Sequence, residues 1–288
     1  VVAALEQATG ASIETVIITS EGDRSRESLS SLGGTGVFAS ALREALLAEE
    51  CDLIVHSLKD LPTAPYEGLV IGAVPEREDP RDALCARDGV TLDELPEGAR
   101  VGTGSPRRMA QLLALRPDLT LVDIRGNVDS RLRRVHDGEL DAVVLASAGL
   151  ARLDRLDAAS ELFALDLWPT APGQGALAIE TREGDSIPEL LTIEHQPSRT
   201  AVLAERAVLA ALEAGCAAPV GAHAVVDGDE LTLSATVYKA DGTAELGCER
   251  SATMLGDDLV VAELLGQAVA TQLLDDGAAD FAPVGGAR

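Results

Sequence analysis

Apolar and polar positions alternate along the first half of the chain in two α/β stretches. Strand-like runs at Thr15–Thr19, Asp52–Val55 and Leu69–Val74 surround a helical pattern from Phe38 to Glu49, and a further helix is predicted over Val1–Thr9. The pattern resumes with a strand at Arg100–Thr103, a helix at Pro106–Leu115, a strand at Leu119–Ile124, a helix at Val128–His136 and a strand at Asp141–Ala146. Between the two stretches, Pro75–Arg87 is rich in proline and charge and reads as a crossing segment. After Trp168 the chain passes Pro169, Pro172, Gly173 and Gly175 before the apolar Ala176–Ile179, which reads as a strand returning to the first unit.

The last third follows a different pattern. Ser198–Ala214 is an amphipathic helix closed by Gly215, a residue type suited to the left-handed position after a helix. Runs at Ala222–Val226, Glu230–Tyr238 and Thr243–Ser251 are joined by Asp227-Gly228 and Asp241-Gly242, as in an antiparallel meander, and a helix follows at Asp257–Leu274. The expected organisation is therefore a first α/β domain over 1–75 and 176–195, a second α/β domain over 76–175, and a small α+β domain over 196–288 with a three-stranded antiparallel sheet. No solenoid repeat or low-complexity segment interrupts it.

A hydrophobic content of 46% in 288 residues is ample for buried cores. No apolar run reaches the roughly 18 to 20 residues of a membrane span, and the start lacks the layout of a signal peptide. The expected location is the cytoplasm. The start at Val1, without a methionine and inside a predicted helix, implies a piece of a longer product. A formal net charge of -25 argues against nucleic acid or an anionic membrane as partner, since polyanions repel. Against that background the stretch Arg100–Arg155 is net positive, with ten arginines against seven acids. A solvated mixed-charge surface is the plain alternative to an anion site.

The cysteines Cys51, Cys85, Cys216 and Cys248 are widely spaced, with no CxxC pair and no histidine near enough for a zinc site, so free thiols and no metal are expected. Cys51, Cys85 and Cys248 border apolar strands and read as core residues. Cys216 lies in a loop after a helix C-terminus, an environment that disfavours a thiolate nucleophile. It reads either as an attachment point for a covalent group or as a spare thiol.

Candidate chemistry gathers at strand ends, where open α/β sheets bind ligands. The first is His56-Ser57-Leu58-Lys59-Asp60-Leu61-Pro62, where a hydroxyl, an ammonium and a carboxylate could hold an acidic substrate and move a proton. The same stretch also fits a capped turn with a surface ion pair, and His56 alone fits a structural histidine. Next, Thr103-Gly104-Ser105-Pro106-Arg107-Arg108 places a natural N-cap, Ser105, and a natural N1 proline before two arginines, a helix start that binds anions. Arg125-Gly126-Asn127-Val128 with Arg131, and Ala146-Ser147 leading to Arg152, bring further arginines to the same rim, and guanidinium forks bind carboxylates in a bidentate way. Gln174, between Gly173 and Gly175, suits a hinge or a ligand contact equally.

These residues resemble a known family. His56 to Pro62, Glu76-Arg77-Glu78-Asp79-Pro80-Arg81-Asp82, Thr103 to Arg108, Arg125 to Val128, Pro172-Gly173-Gln174-Gly175 and Gly215-Cys216 occur in the order and spacing of porphobilinogen deaminase (hydroxymethylbilane synthase), from about Gly22 to Gly221. The resemblance implies two periplasmic-binding-protein-like α/β domains forming a cleft, with the small third domain beside them. It implies a dipyrromethane cofactor joined by a thioether to Cys216, onto which four porphobilinogen units are added with loss of ammonia before the linear tetrapyrrole is hydrolysed off. By the same resemblance Asp60 is the catalytic carboxylate. Ser57, Lys59, Thr103, Ser105, Arg107, Arg108, Arg125, Gly126, Arg131 and Ala146 contact the cofactor, and Arg125, Arg131, Arg152, Gln174 and Phe38 contact substrate. The small-molecule substrate and a monomeric state come with it.

The chain departs from the family in three places. A first strand with a basic motif is missing, Thr35 stands where many members carry lysine, and Asp129 replaces a small residue near Arg125 and Arg131, where it should weaken carboxylate binding slightly. The rival reading is a clamshell protein that binds small carboxylates without chemistry, since fold does not fix function. A lysine-nucleophile or thiol enzyme is weaker, because neither Lys59 nor Cys216 has a base expected beside it.

Overall fold

The computed structural model describes residues 1–18, 37–215 and 218–284. Helix α1 (Val2–Thr9) ends at Gly10, which takes a left-handed φ of 70° and returns its N–H to Glu6, and α2 (Val37–Leu47) leads to the first sheet. That sheet contains β1 (Ile54–Ser57), β2 (Leu69–Ala73) and β8 (Leu177–Arg182) in the order β1-β8-β2, with both pairings antiparallel. The return strand expected near Ala176 is thus the centre of this sheet, with Ala178 and Ile179 fully buried.

The second sheet has five strands in the order β5-β4-β6-β3-β7. Here β4 (Arg100–Gly102), β5 (Thr120–Val122) and β6 (Ala142–Ala146) run parallel, while β3 (Asp82–Ala86) and β7 (Glu161–Leu162) are antiparallel to their neighbours. Helices α3 (Pro106–Leu115), α4 (Val128–His136) and α5 (Ser147–Ala151) follow β4, β5 and β6. The strand directions follow from the connections: parallel neighbours need a crossover helix, and β3 has none.

The third sheet is the meander β9 (Val220–Asp227), β10 (Glu230–Tyr238) and β11 (Glu245–Thr253), all antiparallel, with α6 (Gln196–Ala211) and α7 (Asp258–Asp275) packed on it. Alternate residues Leu231, Leu233, Ala235 and Val237 of β10 point into one core with Ala204, Val208, Val269 and Leu273 from the helices. The helices approach closely at Gly266, where an added Cβ would lie 2.5 Å from the Ala204 carbonyl oxygen.

Three expectations shift. Thr15–Ile18 belongs to no strand, and Ile17 is 89% exposed; a β-branched run forms a strand only where a neighbour accepts its hydrogen bonds, and no strand among the described residues pairs with it. Thr19 lies outside the described residues. The supposed crossing segment Pro75–Arg87 contains an interior strand, β3, because Asp82–Ala86 is an apolar run behind one acid. Finally, β1 extends through His56 and Ser57, so these two residues belong to the sheet rather than to the turn beyond it.

Among the described residues Cys51, Cys85 and Cys248 are free thiols, no cluster of His, Cys, Asp and Glu suits a metal ion, and no helix is long and apolar enough to cross a membrane.

Candidate active site

The site starts from the short 3-10 turn Leu58–Asp60 that follows β1. Leu58 and Leu61, 1% and 3% exposed, anchor the turn in a core with Val74, Ala176, Ala178 and Val202. With both leucines directed inward, Lys59 is left half-buried and Asp60 exposed. Behind them, His56 is a structural histidine. Its Nε2 lies 3.0 Å from Glu180 Oε2, and Glu180 also accepts two hydrogen bonds from Arg43, at 2.6 and 2.9 Å. Burial pushes the Glu180 carboxyl up, but the hydrogen bonds of His56 and Arg43 and the charge of Arg43 more than reverse this, to about 2.

The arginine rim is divided between a buried pair and a more open pair. Ser105 caps α3 as expected, its hydroxyl accepting from Arg108 N–H, with Pro106 in the first turn; Thr103 is buried and its Oγ1 accepts from Ser105 N–H. Arg107 and Arg108, however, are not free forks at a surface. They are 3% and 6% exposed and both are held by Asp82. Asp82 Oδ1 accepts from Arg108 Nη2 at 2.6 Å and Gln174 Nε2 at 2.7 Å; Oδ2 accepts from Arg107 Nη2 at 2.9 Å and Trp168 Nε1 at 2.8 Å. Burial raises the pKa of this carboxyl, but the charges of Arg108 and Arg107 outweigh it and hold Asp82 well below the usual carboxylate range. Two guanidinium groups against one carboxylate leave the cluster positive, and the Nε atoms of Arg107 and Arg108 are buried without a hydrogen-bond partner.

Gln174 connects this cluster to the Asp60 turn. It is 1% exposed, donates also to Pro80 O at 2.7 Å, and its Oε1 accepts from Arg108 Nη2 at 3.3 Å and Lys59 Nζ at 3.4 Å. Gly173 and Gly175 on either side have φ of 77° and 86°, and a Cβ at Gly175 would lie 2.5 Å from Glu78 O. Burial lowers the pKa of Lys59, and Arg108 and Arg107 lower it further, against the raising effect of Asp60 and Asp82.

Arg125 and Arg131 form the more open part. Arg125 is half-buried with its Nε unpartnered, and Gly126, at φ 111°, offers its carbonyl to Arg131 Nε at 2.7 Å. Asn127 caps α4 through Ser130 N–H. Burial lowers the pKa of Arg131, as do Arg108 and Arg125 beside it, with Asp123 and Asp60 acting in the opposite sense. The carboxylate of Asp60 therefore lies within electrostatic reach of both Lys59 and Arg131. Asp129 is exposed and pairs with Arg155 at 2.9 Å.

Ala146 ends β6 opposite Asp82, and exposed Arg152 donates to Gly175 O at 3.1 Å. Ser57 is half-buried at the end of β1. Phe38 is on α2, but its side chain, like Thr35 and Cys216, lies outside the described residues.

Sequence reasoning missed the residues that hold the others in place. Asp82 closes the Glu76–Asp82 motif, and an acid opening an apolar run is itself a signal. Glu205, fully buried on α6, was also missed. It takes a bidentate pair from Arg77 at 2.7 and 3.0 Å, Gly173 N–H at 2.7 Å and Ala224 N–H at 2.9 Å, and so ties both crossing segments to the third sheet. Burial raises its pKa, and the charge and hydrogen bonds of Arg77, with the His223 ring 3.5 Å away, bring it down to about 2.

The family pattern described as porphobilinogen deaminase, dipyromethane cofactor binding domain, matches residues 1–189, and the porphobilinogen deaminase C-terminal domain matches residues 199–275. A porphobilinogen deaminase of Leifsonia xyli is 60% identical, covering 99% of this chain and 90% of its own. One from Thermobifida fusca is 56% identical, covering 94% and 86%. Among solved structures, a lipoprotein of the YaeC family from Enterococcus faecalis aligns with TM-score 0.34 and 16% identity over 52% of this chain and 72% of its own. The periplasmic VFT2 domain of Bordetella pertussis BvgS aligns with TM-score 0.34 and 18% identity over 66% and 72%. Scores this low add nothing to the fold described above. Two family patterns in order along one sequence, with relatives of this identity over nearly its whole length, place the chain in the porphobilinogen deaminase family.

Proposed function

We propose that the chain joins four porphobilinogen molecules head to tail, each with loss of ammonia, on a dipyrromethane held through Cys216, and then releases hydroxymethylbilane by hydrolysis. The observation that carries the reading is an excess of positive charge around one exposed carboxylate. Lys59, Arg107, Arg108, Arg125 and Arg131 act on one another and on Asp60, Asp82 and Asp123, five cations against three acids. Crowding of this kind is unfavourable until anions arrive, and pyrroles bearing acetate and propionate side chains supply them.

The donor set also suits the cofactor. The partnerless Nε atoms of Arg107, Arg108 and Arg125 are spare hydrogen-bond donors in a positive cluster, as a polycarboxylate requires. Arg107, Arg108, Arg125 and Arg131 would hold its carboxylates, assisted by Ser57, Lys59, Thr103, Ser105, Gly126 and Ala146. When bound, the dipyrromethane would supply the free pyrrole position to which the first ring is joined, each later ring joining the one before it. Arg125, Arg131, Arg152, Gln174 and Phe38 are proposed to orient the incoming substrate. Asp60 accepts the pyrrole N–H, stabilises the positive charge that develops as ammonia departs, and carries the proton lost when the ring regains aromaticity.

The sheets support the proposed division into 1–75 with 176–195, 76–175 and 196–288, since β1, β2 and β8, then β3–β7, then β9–β11 form three separate sheets. The reading extends to a monomer working in the cytoplasm on a small soluble pyrrole. Intact-protein mass spectrometry tests the whole: freshly purified chain should exceed its sequence mass by a dipyrrole, and Cys216→Ala should not. A bare sequence mass in protein that turns over substrate would end the proposal.

A further inference from the structure

Helix α6 presents Val202, Arg206 and Leu209 on one face, spaced by four and three residues. Val202 packs in the same core as Leu58 and Leu61, and one helical turn further on Arg206 reaches the backbone of the Asp60 turn. Its Nη1 donates to Leu58 O at 3.1 Å and Leu61 O at 2.7 Å, and its Nη2 donates to Pro62 O at 2.7 Å. These carbonyls lie on both sides of Asp60. Beyond them the packing opens into a cleft of about 260 Å³, between Lys59, Pro62 and Thr63 on one wall and Ala210, Glu213 and Gly215 on the other. The turn is thus fastened to the helix by side-chain packing at Leu58 and Leu61 and by one guanidinium at its backbone.

A three-residue 3-10 turn leaves most of its carbonyls without a partner of its own, and a single planar fork with five donors can satisfy several at once. We propose that Arg206 is a positioning residue for the reaction: by fixing the carbonyls of Leu58, Leu61 and Pro62 it sets the direction in which the Asp60 carboxylate points. The inference rests on the reading of Asp60 as the working carboxylate. In this role Arg206 acts through the backbone that carries Asp60. A carboxylate misplaced by ~1 Å loses on the order of a hundredfold in rate while substrate binding, carried by the arginines, is unaffected.

The test is steady-state turnover of porphobilinogen by the cofactor-loaded Arg206→Lys protein, which keeps the charge and the stem but has no fork to span three carbonyls. The expected result is kcat lowered at least tenfold, KM within twofold of the parent, the dipyrrole mass retained and a melting midpoint no more than about 5 °C below the parent. Addition of methylguanidinium to Arg206→Ala should restore part of the lost kcat, a recovery that a general loss of packing would not show. A kcat within twofold of the parent in Arg206→Lys, or a raised KM with kcat kept, would overturn the proposal. Asp60→Asn measured alongside separates the two readings. If it turns over normally, the role of Asp60 fails; if it is inactive while Arg206→Lys is normal, only the positioning role of Arg206 fails.

Discussion

Asp82→Asn changes one oxygen of a buried carboxylate into an amide nitrogen while keeping its shape. The native group accepts four hydrogen bonds, from Arg107, Arg108, Trp168 and Gln174, and is fully buried. The amide keeps one accepting oxygen and turns a donor toward two other donors, so whichever way it is flipped one arginine and one neutral donor lose their acceptor. Two guanidinium groups would then share a buried site with no counter-charge on Asp82. Breaking a buried ion pair from one side costs ~3 to 5 kcal/mol, and for a chain of this size that lowers a melting midpoint on the order of 10 °C. Asp82 is held well below the usual carboxylate range, so it is ionised near neutral pH and well to either side of it. The gap between native and variant should therefore be the same from about pH 5 to 9. Differential scanning calorimetry on cofactor-free chains of both sequences, across that range, measures it. A midpoint within 2 °C of native, or a gap that opens only at high pH, would refute the account of the cluster; the threshold is set at roughly the effect of one exposed ion pair.

Two further outcomes follow from the charges. Glu180 titrates near 2 in the folded chain against an ordinary 4.5, so its contribution, on the order of 3 kcal/mol, is fully present above about pH 4.5 and is lost as the pH falls toward 2. Glu180→Gln should be less stable at pH 7 and show a flatter decline over that acid window in melting curves; parallel curves would contradict the assignment. Arg131→Gln removes a cation that burial and two neighbouring arginines already disfavour. It should raise KM for porphobilinogen on the order of tenfold or more while leaving the melting midpoint equal or higher. Unchanged KM in steady-state kinetics would remove Arg131 from the substrate site.

The alternating and helical periods of the sequence were enough for most elements because each buries one face. Leu231 to Val237 and the stripe of α6 show this directly, since their periods are those of the core they line. The misses have local causes. Thr15–Ile18 has the β-branched composition of a strand, but pairing depends on a neighbour that the local pattern does not contain. Strand β3 was hidden because Pro75, Pro80 and the charges up to Asp82 dilute a four-residue apolar run, and the strand's partners lie at 142–146 and 161–162.

For the site, strand ends indicated the positions of Asp60, Lys59 and the arginines, while their states were not legible. Arg107 and Arg108 look the same in sequence whether they face solvent or are bound to Asp82, because that contact spans about 25 residues of chain. Gln174 left hinge and ligand contact open, and its bonds to Pro80, Asp82, Arg108 and Lys59 make it a joint between the Asp60 turn and the arginine cluster. Glu205 and Arg206 adjoin on α6 with no motif around them; only the packing of that helix against the crossing segments and the Asp60 turn gives them a task.

The most direct measurement of the central claim is the release of ammonia from porphobilinogen by cofactor-loaded chain, with Asp60→Asn carrying the same cofactor mass as control. The native chain should release ammonia in step with tetrapyrrole formation, and Asp60→Asn should bind porphobilinogen but release almost none. Binding without ammonia release by the native chain, or equal release by both, would contradict the account.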